Sequence, residues 1–284
     1  MFTLNCRGYV WEMSEPVVMG IINATPDSFY SGSRKMTVED ALQQAAKMLG
    51  EGAAILDIGG QSTRPGAGQL SIAEELERVL PVIDAIHERF PEALLSIDTY
   101  HSQVALQAAA HGVSVINDIS GGDFDAEMLP LAASLHMPLI CMHIQGNATG
   151  MHTVPQYRDV VTEVLDHFIR KIDSCRQAGV HDVIIDPGFG FSKNSTHNFA
   201  LLRNLDAFSI LNRPILLGVS RKSTIYKTLD ISPAEALNGT TVLNTAGLLK
   251  GASILRVHDV KEAVEAVKLC SHIMGTDEQG TRNR

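Results

Sequence analysis

The chain has 284 residues, of which 45% are hydrophobic and 19% charged. That composition suits a globular protein with one large core or two modest ones, and excludes a disordered or fibrous chain. Twenty-three basic against 32 acidic residues give a formal charge of -9, which excludes a broad basic surface for nucleic acid or anionic membrane, so any anion must be held locally.

Residues 2–13, FTLNCRGYVWEM, alternate around Cys6-Arg7-Gly8 and predict a β-hairpin able to close the bottom of a barrel. Apolar, β-rich runs follow at 17–23, 54–59, 94–99, 113–120, 138–143, 182–188, 214–220 and 253–258. Between them, segments such as VEDALQQAAKMLGEG and IAEELERVLPVIDAIHERF space their apolar residues by three and four, as helices do. The fold class expected is α/β, a (β/α)8 TIM barrel. Near-continuous apolar strands imply a parallel sheet covered on both faces, and eight units over this length suit a closed barrel better than an open doubly wound sheet. No G-x-G-x-x-G follows the first strand, which weakens a dinucleotide-binding reading. One domain is expected over 1–275, with 276–284 a flexible polar tail.

Cys6, Cys141, Cys175 and Cys270 lie far apart with no C-x-x-C pair, so reduced thiols are expected. The first residues lack a basic-then-apolar signal pattern, and nowhere do about 18 apolar residues run together. A soluble, cytoplasmic protein is the expectation.

In such barrels function sits at the C-terminal ends of the strands. The polar residues there are Asn23, Asp57, Asp98, Asn117, His143, Asp186, Ser220 with Lys222, and Arg256 with His258. Any one of them could simply cap a helix or make a turn, and Asp123 and Asp125 are expected to do so. As a set they are harder to dismiss, because a carboxylate inside a strand end needs a partner or ligand. Several acceptors suit a planar heterocycle presenting N–H donors, and Lys222 and Arg256 add donors and a flat cation. Arg64, Arg256 and His258 beside Asn23 and Thr63 would form a local site for phosphate or diphosphate. No metal-ligand spacing appears, which leaves magnesium carried by a substrate phosphate.

GIINATPDSFYSGS, ILDIGGQSTRPGA, SIDT, VINDISG, DPGFGFSK, LLGVSRKS and LRVHDV, in this order over 17–270, together resemble the dihydropteroate synthase family. The resemblance implies condensation of 6-hydroxymethyl-7,8-dihydropterin diphosphate with 4-aminobenzoate through a dissociative mechanism, with Mg2+, in a homodimer. It implies that Asp98, Asn117, Met142, Asp186, Phe191, Gly218, Lys222 and Arg256 bind the pterin. Asn23, Thr63, Arg64, Arg256 and His258 would bind diphosphate, Asn23 also holding the metal. Phe29, Thr63, Pro65, Phe191, Ser220 and Lys222 would bind 4-aminobenzoate, and Asp57, Asp98, Lys222 and Arg64 would act in catalysis. No nucleic-acid or membrane partner is implied.

The chain departs from the family pattern at Gln61, where Glu is usual, and at QGNATG (145–150), where Pro is common; Tyr30 stands beside Phe29. A Schiff-base aldolase using Lys222 and a methyltetrahydrofolate/corrinoid methyltransferase are rival readings; SRKS after LLGV disfavours the first, and the second would have little use for Thr63-Arg64-Pro65 and Phe29. A pterin-binding module without activity would lack the anion site. His136, Met137, the other methionines, Cys141 and Cys175 are expected in or near the core, Lys193 in service of its loop, and Glu74, Glu75, Glu77 and Arg78 on a solvated helix face.

Overall fold

The computed structural model describes residues 1–24, 37–61, 69–146 and 156–275. Strands β1 (Phe2–Cys6) and β2 (Tyr9–Met13) pair antiparallel, with Phe2 opposite Met13 and Cys6 opposite Tyr9. The two residues joining them, Arg7 and Gly8, have φ of 57° and 90°. Paired left-handed residues match the turn to the strand twist, and a glycine takes that conformation without a Cβ clash.

Eight parallel strands follow: β3 (Val17–Asn23), β4 (Ile55–Gly59), β5 (Leu94–Asp98), β6 (Val115–Asp118), β7 (Leu139–Met142), β8 (Val183–Asp186), β9 (Leu216–Leu217) and β10 (Ile254–Val257). Their hydrogen-bonded order is β8-β7-β6-β5-β4-β3-β10-β9, and a parallel bridge between Ile185 and Ile215 brings the two ends together. The barrel predicted from the sequence is therefore observed. Helices α1 (Val38–Gly50), α2 (Ile72–Arg89), α3 (Ser102–Ala110), α4 (Met128–Leu135), α5 (Val160–Ala178), α6 (Ser195–Arg203), α7 (Ser223–Leu229), α8 (Leu237–Leu249) and α9 (Val260–Met274) alternate with the strands and surround them.

The period of two along each strand divides the molecule into layers. Leu56, Ile58, Leu95, Ile97, Ile116, Leu139, Val183, Leu217 and Leu255 join one core with helix residues such as Val79, Ile83 and Phe168. On the other face, Met19, Ile55, Val115, Ile140, Ile184, Leu216 and Ile254 form a second core with Leu4, Cys6 and Met13 of the hairpin. The hairpin thus plugs the N-terminal end of the barrel. Arg7 Nη1 donates to the carbonyls of Ala109 and Val113, and Asn5 N–H donates to Asp182 Oδ2 at 3.1 Å, which ties the plug to the loops beneath the strands.

Advancing two residues from that apolar layer reaches Ile21, Asp57, Asn117, Met142, Asp186, Gly218 and Arg256. Over a single repeat the inward face gains Asp57, Asn117, Asp186 and Arg256. One end of the barrel is sealed and the other carries chemistry.

Several sequence expectations change. The run at 214–220 forms only the two-residue β9, and Asp98 and Asp186 are the last residues of their strands. Asp123 is no cap: its carboxylate pairs with buried Lys171 at 2.6 Å. Asp125 does cap, accepting the N–H of Ser102 at the start of α3 at 2.7 Å. Glu75 leaves the solvated face of α2 and is buried, because it lies on the side that packs under Gly60. His136 is the left-handed residue closing α4, whereas Met137, Cys141 and Cys175 are buried. The tail 276–284 lies outside the described residues.

Candidate active site at the barrel mouth

Two charged clusters occupy the polar layer. In the first, Arg256 Nε donates to Asp57 Oδ2 and Arg256 Nη2 donates to Asp98 Oδ2, both at 2.6 Å. One guanidinium from β10 thereby spans carboxylates from β4 and β5, its planar fork suiting two acceptors at once. Asn117 Nδ2 donates to the same Asp57 Oδ2 at 2.9 Å. Asp57 is fully buried, and its Oδ1 has no hydrogen-bond partner among the described residues.

The second cluster is built on β8 and the loops after β8 and β9. Asp186 Oδ1 accepts the N–H of Gly188 at 2.8 Å. Lys222 Nζ donates to the Phe189 carbonyl at 2.6 Å and stands 4.7 Å from the centre of the Phe191 ring. A Cβ on Gly218 would fall 3.7 Å from Lys222 Nζ and 3.8 Å from Asp186 Oδ2, filling the space that glycine leaves between them. Tyr100, Ile119 and Met142 pack with Phe124, Ile144 and Phe191 as an apolar wall.

Burial governs the protonation of these groups. It raises Asp98 to about 7; Arg256 opposes the rise, and Asp57, Glu75 and Asp118 add to it. It also raises Asp186, opposed by Lys222, the Gly188 N–H, Arg256 and Lys193. Lys222 falls to about 8 through burial, although Asp186 and Asp98 support its charge. Burial acts against the Arg256 cation too, but Asp57 and Asp98 outweigh it and hold the guanidinium charged. The mouth therefore offers two carboxyls raised by burial, Asp98 to about 7, beside a firmly charged arginine.

Asp57, Asp98, Asn117, Met142, Asp186, Phe191, Gly218, Lys222 and Arg256 are brought to one mouth. Ser220 Oγ lies 2.9 Å from His258 Nδ1, joining the loops after β9 and β10. Asn23 ends β3 in register with Gly59. Phe29, Tyr30, Thr63, Arg64 and Pro65 lie outside the described residues, as does part of QGNATG. Gln61 Oε1 accepts the N–H of Leu70 at 2.8 Å.

His143 is a correction. It falls one residue past Met142, so the period of two turns its ring outward, where it lies 4.8 Å from the ring of His167 on α5 and 2.9 Å from Lys193 Nζ. Sequence reasoning also missed the paired clamp of Arg221, whose Nε and Nη2 donate to the two oxygens of Asp259 at 2.8 and 2.9 Å. The buried turn-maker Asp118 was missed as well; it accepts from Ser120 and Gly122 N–H groups. An Arg-Lys and a His-Asp pair at successive strand ends was the available signal for the clamp.

A plugged α/β barrel with acceptors, a lysine and a carboxylate-bridged arginine at its open end defines an enzyme of the class that holds a flat, N–H-bearing heterocycle. The family model described as pterin binding enzyme matches residues 19–258. Dihydropteroate synthase of Escherichia coli strain K12 is 43% identical over 277 residues, covering 97% of this chain and 98% of that protein. The Yersinia pestis dihydropteroate synthase, solved with a sulfonamide drug complex, superposes with a TM-score of 0.90 at 40% identity, covering 96% of this chain and 99% of the other. The Coxiella burnetii dihydropteroate synthase, solved with pteroic acid, gives a TM-score of 0.89 at 38% identity, with 98% and 100% covered. The chain belongs to the pterin-binding enzymes and, among them, to the dihydropteroate synthase family.

Proposed function

We propose that this enzyme condenses 6-hydroxymethyl-7,8-dihydropterin diphosphate with 4-aminobenzoate, releasing diphosphate and forming 7,8-dihydropteroate. The observation that carries the reading is the pairing of two recognition clusters across one mouth: Asp186 with Lys222 over Gly218, and Asp57 with Asn117, Asp98 and Arg256. Asp186 Oδ2 accepts N–H groups from the pterin edge, Asn117 and Asp98 hold the rest of that edge, and Lys222 donates to the ring. Arg256 lies against the ring face, while Phe191 and Met142 wall it in. The pteroic acid bound by the Coxiella burnetii relative joins both substrate halves in one molecule, which supports a common mouth.

The reaction is dissociative. The bond between the exocyclic methylene carbon and the diphosphate oxygen breaks, its electron pair leaving with the diphosphate. Positive charge then spreads from the methylene into the pterin ring. The lone pair of the aminobenzoate nitrogen closes the new C–N bond, and that nitrogen releases its extra proton to water. Asp57 and Asp98 stabilise the developing cation electrostatically. Arg64, Thr63, Asn23, Arg256 and His258 receive the leaving anion, and Phe29, Thr63, Pro65, Phe191, Ser220 and Lys222 surround the aminobenzoate.

Asn23 supplies one hard oxygen donor at the end of β3, and among the described residues no three His, Cys, Asp or Glu side chains could hold a metal ion. That donor set fits a magnesium ion brought by the diphosphate, with Asn23 as a protein ligand. When bound, the ion neutralises charge on the departing oxygens. No helix among the described residues is long and apolar enough to cross a membrane. Val242, Leu249, Leu269 and Ile273 are exposed on the neighbouring helices α8 and α9, which supports a homodimer through this side.

Asp186→Asn tests the reading. The substitution keeps the size but turns an NH2 donor toward pterin N–H donors, which should cost about 2–5 kcal/mol of pterin binding, more than tenfold in affinity. Calorimetry with a pterin lacking diphosphate, beside a thermal melt without ligand, gives the answer. A lost affinity with an intact melt is expected; unchanged affinity rejects the role of Asp186.

A further inference from the structure

Lys193 is buried, at 8% exposure, in the loop between β8 and α6. Its Nζ donates to the carbonyls of Gly188 and Phe191 at 3.1 Å and of His143 at 3.2 Å, and lies 2.9 Å from His143 Nδ1. The His143 ring is held neutral by burial and by the neighbouring Lys193 and His167, which lower it to about 2, so Nδ1 is free to accept. One ammonium thus meets acceptors from the end of β7 and from both sides of its own loop.

That loop passes through three left-handed residues beside Lys193. Gly188, Gly190 and Ser192 have φ of 74°, 81° and 47°. A Cβ on Gly188 would fall 2.1 Å from the His143 carbonyl oxygen and 3.1 Å from Lys193 Nζ. The same loop carries the Gly188 N–H bound by Asp186, the Phe189 carbonyl bound by Lys222, and the Phe191 ring beneath Lys222. Three contacts that shape the second cluster therefore come from the segment that Lys193 fastens.

We propose that Lys193 is a positioning residue for pterin recognition: it fastens the loop after β8 to the end of β7 and turns a positive charge toward Asp186. The inference rests on the reading that Asp186 accepts the pterin edge. Lys193 does not touch substrate; it acts through Asp186, Lys222 and Phe191. The charged groups facing Asp186 are Lys222 from the loop after β9, Arg256 from β10 and Lys193 from its own loop, and Lys193 is the weakest of the three cations. Lys193 in turn faces Asp186 and Lys222, and burial brings it down to about 7.

Burial raises the Asp186 carboxyl and each cation opposes the rise, so losing one cation raises it further. The part of the acid limb of pterin binding that Asp186 sets should then move to higher pH, whereas the part set by Asp98, whose charged neighbours are Arg256, Asp57, Glu75 and Asp118, should stay. The experiment compares the full-length enzyme with Lys193→Met and Lys193→Gln, measuring pterin affinity by calorimetry across pH and thermal melting without ligand. Lys193→Gln removes the charge but keeps two N–H donors near the loop carbonyls, which covers the case in which Lys193→Met fails to fold. The expected result for Lys193→Gln is a folded protein with a cooperative melt and the acid limb of pterin binding moved up by roughly half a pH unit, a fraction of the effect of a close opposite charge. Lys193→Met should lose further affinity at neutral pH as the loop carbonyls lose their donor. An unmoved limb in a folded variant overturns the proposal, as does a loss of stability with affinity and limb unchanged. Asp186→Asn runs beside them: if it binds pterin normally, the reading beneath the proposal has failed, whereas a weakened Asp186→Asn with an unmoved limb in the Lys193 variants refutes only the role of Lys193.

Discussion

Glu75 is 1% exposed, and burial raises its carboxyl to about 7, although the Thr99 hydroxyl and Arg78 hold it down. In the unfolded chain the same group titrates near 4.5. A raised folded pKa means that its contribution to stability is fully present below about 4.5 and is lost as pH rises through about 7. Glu75→Gln removes that titration, so the variant should gain on the wild type as pH rises from 5 to 8, by on the order of 3 kcal/mol, the free-energy equivalent of such a shift. The amide NH2 would replace Oε1, which has no partner, and that constant offset leaves the pH dependence readable. Denaturation at pH 5 and pH 8 checks it; a pH-independent difference would contradict the burial of the charge. Glu75 also shows what a sequence conceals. In SIAEELERVL it stands between acidic neighbours, and only the approach of Gly60 and Thr99 reveals that this one glutamate faces inward. Asp57, by contrast, was legible, because an aspartate inside ILDIG breaks an apolar strand where no turn is needed.

Among the elements, the hairpin was readable in outline because β1 and β2 alternate and the turn contains glycine. Its target was readable as well, since a barrel interior needs a bottom. Leu4 is 3% exposed in the core formed with Met19, Ile55, Val115 and Ile254. Leu4→Ala should lower stability by about 2–5 kcal/mol, from lost transfer free energy and the cavity left behind. Because the plug and mouth lie at opposite ends of the strands, pterin affinity measured well below the melting transition should stay within a factor of two or so, as distant sites are nearly additive. Chemical denaturation and calorimetry separate the two effects; an affinity loss without a stability loss would contradict the plug role. Less of β9 was readable. Apolar residues continue through PILLGVS, but the chain leaves the ladder after Leu217 so that Gly218, Ser220 and Lys222 can form the mouth. His143 was misplaced for a related reason: residue type marks a strand end, while only the register says which way the side chain faces.

At the scale of the molecule, the two strand faces divide the work. Outward residues pack against helices, the first inward layer seals the barrel with the hairpin, and the next inward layer gathers charge around an open space. The overall order of strands and helices was legible because each strand is apolar on both faces and each helix is periodic. What the sequence could not give is the pairing inside the mouth, where Arg256 bridges Asp57 and Asp98 from strands distant in the chain. The central claim is that this mouth unites a pterin diphosphate with an arylamine. The measurement that tests it most directly is a turnover assay following dihydropteroate and diphosphate, with pterin diphosphate, 4-aminobenzoate and magnesium omitted in turn. Full turnover, with the two products in equal amounts, is predicted only when all three are present; absence of dihydropteroate from the complete mixture would contradict the account.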